Sequence, residues 1–362
     1  MCAQAAPGRA QKSVAVALGA GAGVVLVSQN GINTNLRRKA LDDSPVPTAF
    51  VSFAIGLVAI SALALAHGQL SGVRRDWSLR QAPWYAYLGG VLGPVYVVAA
   101  VVISERLGFA AYQLCAILGQ VLAALAIDSC GFLGLQRRRP SPLRLVALLT
   151  LSSGTALTVE GIGDQLSGKP WWEIGLYSLA ATTAGSIFPV QAMCNKAMQA
   201  HVHTPFRAVV VSFIGGSTIL FSISAVVVTV SGPLDVRPGE AWMWTGGLCG
   251  AFIVTGNVIG VPRIGAAAYT AVFVACQLAT AFVYDSIGAF EFDTIHPTGR
   301  RIAGVLLATA SAVAYQLAPS TAIPTTQSVL RAVELRGTPG TERQTATTRL
   351  DELADVGCNS SA

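Results

Sequence analysis

Arg106 to Asp128 reads RLGFAAYQLCAILGQVLAALAID, and Arg263 to Asp285 reads RIGAAAYTAVFVACQLATAFVYD. Overlaid without a gap at an offset of 157 (285 − 128), the two stretches share an Arg-x-Gly start, the segment Ala-Ala-Tyr, a Gln and a terminal Asp. Upstream, Gly89-Gly90 and Gly93 pair with Gly246-Gly247 and Gly250. Downstream, Ser129, Gly131, Pro140 and Arg144 pair with Ser286, Gly288, Pro297 and Arg301. After a two-residue shift in a loop further upstream, Gln29, Asn33, Pro45 and Val51-Ser52-Phe53 match Gln191, Asn195, Pro205 and Val211-Ser212-Phe213. Shared apolarity does not produce identity at so many specific positions, so the chain is read as a duplicated unit.

The solvent of that unit follows from composition. Of 362 residues, 52% are hydrophobic and 12% charged, and the mean hydropathy is +0.57. A soluble domain carries roughly 25% charged residues, and the deficit here cannot cover a water-facing surface. Apolar runs predict spans at about 13–33, 47–67, 84–104, 108–127, 142–160, 172–193, 207–230, 242–261, 265–284 and 300–318, each near the ~20 residues of one helical crossing. Prolines and polar turns separate them. The expected fold class is an all-α membrane protein with ten transmembrane helices as two inverted five-helix repeats. Five crossings per copy is an odd number, so the second copy enters the bilayer upside down, with a pseudo-twofold axis in the membrane plane, an arrangement typical of transporters. Residues 1–12 form the N-terminus, 13–160 the first repeat, 161–171 a linker, 172–318 the second repeat and 319–362 a polar tail with a disordered composition and one amphipathic stretch near Val329–Leu335. The run from Ser13 to Val27 follows Arg9 and Lys12 as a secretory leader would. It continues into Gln29, Asn30 and Asn33 without a convincing cleavage site, so it is read as the first span.

Lys and Arg on alternate sides set the expected orientation. An inside N-terminus puts 12 of them on that side and 8 outside, with four more Arg in the tail inside. N-in and C-in follows, against the opposing cluster Arg37, Arg38 and Lys39. The expected location is the plasma membrane, the inner membrane in a bacterium. Partners are then the lipid bilayer, a small-molecule solute and, in a homodimer, a second copy. The net charge of +6 is spread over span ends and short loops, which argues against nucleic acid.

The pattern Gln29-x-x-x-Asn33, Pro45, Val51-Ser52-Phe53-x-x-Gly56, Trp84-Tyr85 before Gly89-Gly90, and Arg106-x-Gly108-x-Ala110 followed by Gln120 and Asp128 resembles the YdcZ-type inner-membrane exporter family of the drug/metabolite transporter superfamily. The resemblance covers nearly all of 13–318. It implies a ten-helix bundle, N-in and C-in, with a substrate cavity lined by helices from both halves. Two departures break the internal symmetry: Glu105 stands where the second half has Pro262, and Gly119 where it has Cys276.

Candidate solute-binding residues come from the cost of polar groups in hydrocarbon. Gln120 and Gln277 are mid-span and repeated, so each either lines a wet cavity or makes an interhelical hydrogen bond. Asn257 is unmatched, its register position being Ala100, which suits an asymmetric solute or a packing contact. Gln29, Asn33, Gln191 and Asn195 fall at the expected ends of the first and sixth spans, where they ring a cavity mouth or cap a helix. Tyr112 and Tyr269 lie eight residues before the paired Gln residues on the same helical face, as solute contacts or as interfacial anchors. Asp128, Asp285 and Glu105 are candidates for ion or proton coupling, with a solvated or Arg-paired helix end as the alternative.

An enzyme is not expected. The four His residues fall in loops or span ends, no His–Glu helical motif exists, and neither a nucleotide-binding loop nor a CxxC pair is present. No cofactor or metal is called for. The expected function is a secondary transporter exporting a small metabolite or drug-like solute by alternating access; the alternative is a non-transporting membrane receptor or assembly subunit.

Overall fold

The computed structural model describes residues 9–68, 77–131, 137–163 and 170–322. Among them are ten α-helices of 19 residues or more: α1 (Arg9–Ala40), α2 (Pro45–Ala66), α3 (Leu88–Leu107), α4 (Phe109–Cys130), α5 (Pro142–Gly163), α6 (Trp171–Val202), α7 (Pro205–Ser231), α8 (Gly246–Ile264), α9 (Ala266–Ile287) and α10 (Gly299–Leu317). Each lies on an expected apolar run. Eight are long and apolar enough to cross a bilayer by length and composition alone. Helices α6 and α10 are not among the eight; α6 contains Ser178, Thr182, Thr183 and Gln191, and Arg300 and Arg301 open α10.

Two ends differ from the sequence reading. Helices α1 and α6 each run 32 residues and end at Ala40 and Val202, well beyond the apolar runs that define them. The last turns of α1 hold because their polar groups find partners inside the bundle. Thr34 Oγ1 donates to the Asn30 carbonyl at 2.8 Å, Asn35 Nδ2 donates to the Phe290 carbonyl at 2.7 Å, and Arg37 Nη1 donates to the Val101 carbonyl at 3.2 Å. Backbone groups at membrane depth must be satisfied within the segment, and a continued helix does this at no extra cost.

Packing couples the two sequence halves at every layer of the main unit, which comprises Met1–Ile127 and Ser141–Pro319. Helix α1 lies against α8 and α9, α3 against α6, α2 against α7 and α5 against α10. Lipid gives no hydrophobic drive for these contacts, so close backbone approach supplies them. Between α5 and α10, a Cβ on Gly154 would stand 2.8 Å from the Gly304 carbonyl, and Ser311 Oγ donates to Thr150 Oγ1 at 2.8 Å. Short 3₁₀ turns rich in aromatic rings, Trp84–Tyr87 and Ala241–Thr245, lead into α3 and α8. Leu149, Leu179, Val226 and Leu306 present apolar side chains outward, as a lipid-facing surface requires. In the second unit, Arg138–Pro140 pairs antiparallel with Ser320–Ala322. The remainder of the tail, including Val329–Leu335, lies outside the described residues.

Candidate solute pathway

Gln29, Asn33, Gln191 and Asn195 sit inside α1 and α6, not at their ends, because both helices continue past them. They cap no terminus. Instead each pair lies over a glycine step of the other half. A Cβ on Gly246 would overlap Asn33 Oδ1, and one on Gly250 would stand 3.3 Å from Gln29 Nε2. In the same way a Cβ on Gly89 would overlap Asn195 Oδ1, and one on Gly93 would stand 2.7 Å from Gln191 Nε2. Gln191 Nε2 donates to the Gly89 carbonyl at 3.1 Å. Neither Asn33 Oδ1 nor Asn195 Oδ1 meets a donor among the described residues, although both atoms are buried. Beside Asn195 a cavity of about 290 Å³ opens between α3, α6 and α7, apolar except for Asn195, Ser212, Thr218 and Tyr87.

Gln277 is fully buried where α9 meets α4, and its Nε2 donates to Gln113 Oε1 at 2.7 Å. The pairing is not the one the repeat suggests. Gln120, the register mate of Gln277, is half-buried, and the residue facing Gln277 is Gln113, whose own mate is Thr270. Gln113 Nε2 and Gln277 Oε1 remain without partners among the described residues. A donor and an acceptor are thus left side by side in the bundle interior. The close approach of α1 to α9 lies alongside, since a Cβ on Gly23 would stand 2.9 Å from the Gln277 amide nitrogen.

Both repeated tyrosines are buried between helices. Tyr112 is 0% exposed, with its ring 6.3 Å from that of Tyr96. Tyr269 is 2% exposed and wedged against Gly19 of α1 and Gly256 and Gly260 of α8. Asn257 is exposed on α8.

Two of the acidic candidates, Glu105 and Asp285, are held by basic partners or backbone amides. Glu105, at the end of α3, forms ion pairs with Arg37 and Arg38. Arg37 also bonds Asp43 at 2.8 Å, so the basic cluster that opposes the expected orientation is largely neutralised. Asp285 is buried in the last turn of α9. Its Oδ2 accepts from Arg301 Nη2 at 2.7 Å and from the Ala110 amide at 2.9 Å, while Oδ1 accepts from the Phe109 amide at 2.6 Å. The carboxylate therefore closes the N-terminus of α4, where the helix dipole favours an anion. Asp128 lies half-buried near the end of α4.

Gln113, Asn30 and Asn35 are buried polar residues that a reading weighted towards repeated positions passes over, since their register mates are Thr270, Ala192 and Ala197. The signal available was the cost of any amide within an apolar run.

Apolar spans, buried amides on facing helices and a duplicated sequence define a multi-pass membrane protein built from two copies of one unit. The chain belongs to the family described as "Putative inner membrane exporter, YdcZ", whose sequence model matches residues 14–157 and again 176–314. No curated protein matches the chain. A solved crystal structure with 19% identity and a TM-score of 0.53 covers 84% of this chain and 98% of its own. At that identity the likeness concerns the fold alone.

Proposed function

We propose that the chain is a secondary carrier that exports a small metabolite or drug-like solute, exposing a polar pathway alternately to the two sides of the membrane between two inverted five-helix repeats. The observation that carries this reading is the reciprocal seating of Gln29 and Asn33 on Gly246 and Gly250, and of Gln191 and Asn195 on Gly89 and Gly93. Each half supplies the amides that the other half receives, as a pseudo-twofold axis requires.

Contacts between the connections support ten crossings. Leu41, after α1, pairs with Val236, after α7, and the Arg237 amide donates to the Ala40 carbonyl at 3.0 Å. Both can share one face only if an even number of crossings separates them, which the six helices α2 to α7 provide. Were α6 to lie along the surface, five would remain and the pairing could not form. At 32 residues α6 is about 48 Å long, ample for the hydrocarbon core. Arg144 Nε, in the first turn of α5, donates to the Ala318 carbonyl after α10 at 3.3 Å, which supports a crossing by α10 as well. Ten crossings place both termini on one side, and the Lys and Arg count favours the inside.

Within this reading Gln113 and Gln277 offer a solute the donor and acceptor left over from their mutual bond. Gln29, Asn33, Gln191, Asn195, Gln120, Asn257, Tyr112 and Tyr269 line or flank the path, and Asp128, Asp285 and Glu105 are coupling or gating groups. The test is a flux screen in proteoliposomes under imposed proton and sodium gradients, with wild type beside Gln113→Leu/Gln277→Leu. Solute-dependent flux that falls in the double variant supports both the carrier and its pathway. Flux that survives keeps the carrier and reduces the two amides to packing. No flux across a broad panel brings the receptor or assembly subunit to the front.

A further inference from the structure

Helices α4 and α9 begin in the same way in sequence, Arg106-Leu107-Gly108-Phe109-Ala110-Ala111-Tyr112 against Arg263-Ile264-Gly265-Ala266-Ala267-Ala268-Tyr269. Their starting glycines share a left-handed backbone, φ 79° at Gly108 and 84° at Gly265. Their surroundings differ. At the start of α4, Phe109 and Ala110 are fully buried, and both amides donate to the Asp285 carboxylate. Arg301 holds the same carboxylate and also donates to the Ile295 carbonyl at 2.7 Å. The Ile295 amide returns to the Asp285 carbonyl at 2.9 Å, and the Phe109 ring lies tilted against that of Phe292 with centroids 4.4 Å apart. At the start of α9, Ala266 and Ala267 are exposed, and no side chain among the described residues bonds their amides as Asp285 bonds those of Phe109 and Ala110. A Cβ on Gly265 would meet nothing within 4 Å, whereas one on Gly108 would press on Ile295 and on the Asp285 carboxylate.

Two copies of one sequence in two environments are what a single state of an alternating-access cycle contains, because the copies exchange environments as the cycle turns. We infer that the starts of α4 and α9 are the two gates of the pathway, that this structure has the α4 gate shut and the α9 gate open, and that Asp285 is the latch of the shut gate. The inference rests on the carrier reading above. The latch is suited to release. A carboxylate shared by two backbone amides and one guanidinium joins three helices through α9, α4 and α10, so one displacement of α4 breaks all the contacts between α4 and Asp285 together. The first repeat carries the same residue types in register, Asp128 and Arg144, so it is chemically equipped for the reverse arrangement.

The experiment uses the full chain in membranes, with its native cysteines replaced and either Ala110→Cys or Ala267→Cys introduced, labelled by a small membrane-permeant maleimide. In the parent, the cysteine at 267 reacts at least about tenfold faster than the one at 110. With Asp285→Asn added, the rate at 110 rises about tenfold and the rate at 267 falls, because the two gates move in opposition. A rise at 110 with no change at 267 would make Asp285 a static helix cap and overturn the latch; equal rates in the parent would overturn the assignment of open and shut gates. If Asp285→Asn fails to reach the membrane, Arg301→Lys is the second variant, with the same reciprocal shift at smaller size, and an unchanged pair of rates there also overturns the latch. Flux of the parent in proteoliposomes is measured separately: its absence counts against the carrier, while non-reciprocal labelling in a chain that does transport counts against the latch alone.

Discussion

The side-chain oxygen of Asn33 on α1 lies directly over the Cα of Gly246 on α8, with no room for a Cβ between them. The relation recurs at Asn195 and Gly89. In a bilayer, where helices gain nothing by hiding apolar surface from lipid, such close seating sets which helices pair and in what register.

Adding one methyl at either glycine should therefore act as overpacking. Gly246→Ala and Gly89→Ala are each expected to cost about 1–3 kcal/mol, read as a lower midpoint in thermal unfolding of the purified chain in detergent. Gly175→Ala is the control: it lies exposed on α6 with nothing near its Cβ, and the change is expected to be neutral or to stabilise by up to about 1 kcal/mol. Equal losses at all three positions would contradict the seating.

The Gln113–Gln277 bond makes a second, quantitative prediction. Either residue changed to Leu leaves the other amide buried and short of a partner, so each single variant loses stability. The double variant should recover part of the loss, with a coupling near the ~0.6 kcal/mol average of membrane hydrogen bonds. A double-variant cycle in thermal or steric-trap unfolding measures it, and strict additivity would mean that the two side chains do not bond.

Ion pairs at the ends of α1 should differ sharply in weight. Arg37 is largely buried and pairs with Glu105, whose side chain is 26% exposed. Glu105→Gln is expected to cost about 1.5–3 kcal/mol, the range for hydrogen bonds to charged groups. Lys39 pairs with Glu291, which is 63% exposed, and Lys39→Ala should cost less than about 1 kcal/mol and matter less still in high salt. Thermal unfolding at two ionic strengths separates the two cases.

Much of this architecture is legible in the sequence, and the gaps have physical causes. The apolar runs locate all ten helices because hydrocarbon admits little else. They place the ends of α1 and α6 too early, since the apolar runs stop at Asn33 and Met193 while the helices run on through polar residues to Ala40 and Val202. Repetition brings out Gln29, Asn33, Gln191 and Asn195 together with the glycines they meet. It hides Gln113, because a contact on one side of a pseudo-twofold axis need not have a copy on the other. The Asp285–Arg301 pair was visible as two charged residues at span ends, but its closure of α4 depends on a chain fold between residues 285 and 301 that composition does not encode.

The claim that underlies all of this is that two copies of one five-helix unit enter the bilayer in opposite directions. Asp42, between α1 and α2, and His203, between α6 and α7, occupy equivalent connections and are both exposed. Single cysteines at these two positions in a cysteine-free chain, challenged with a membrane-impermeant maleimide on intact cells and on inverted vesicles, read the directions without knowledge of the solute. The inverted repeat predicts that Asp42→Cys reacts from outside only and His203→Cys from inside only. Reaction of both from the same face would mean that the halves run parallel, and the alternating-access account would fall with them.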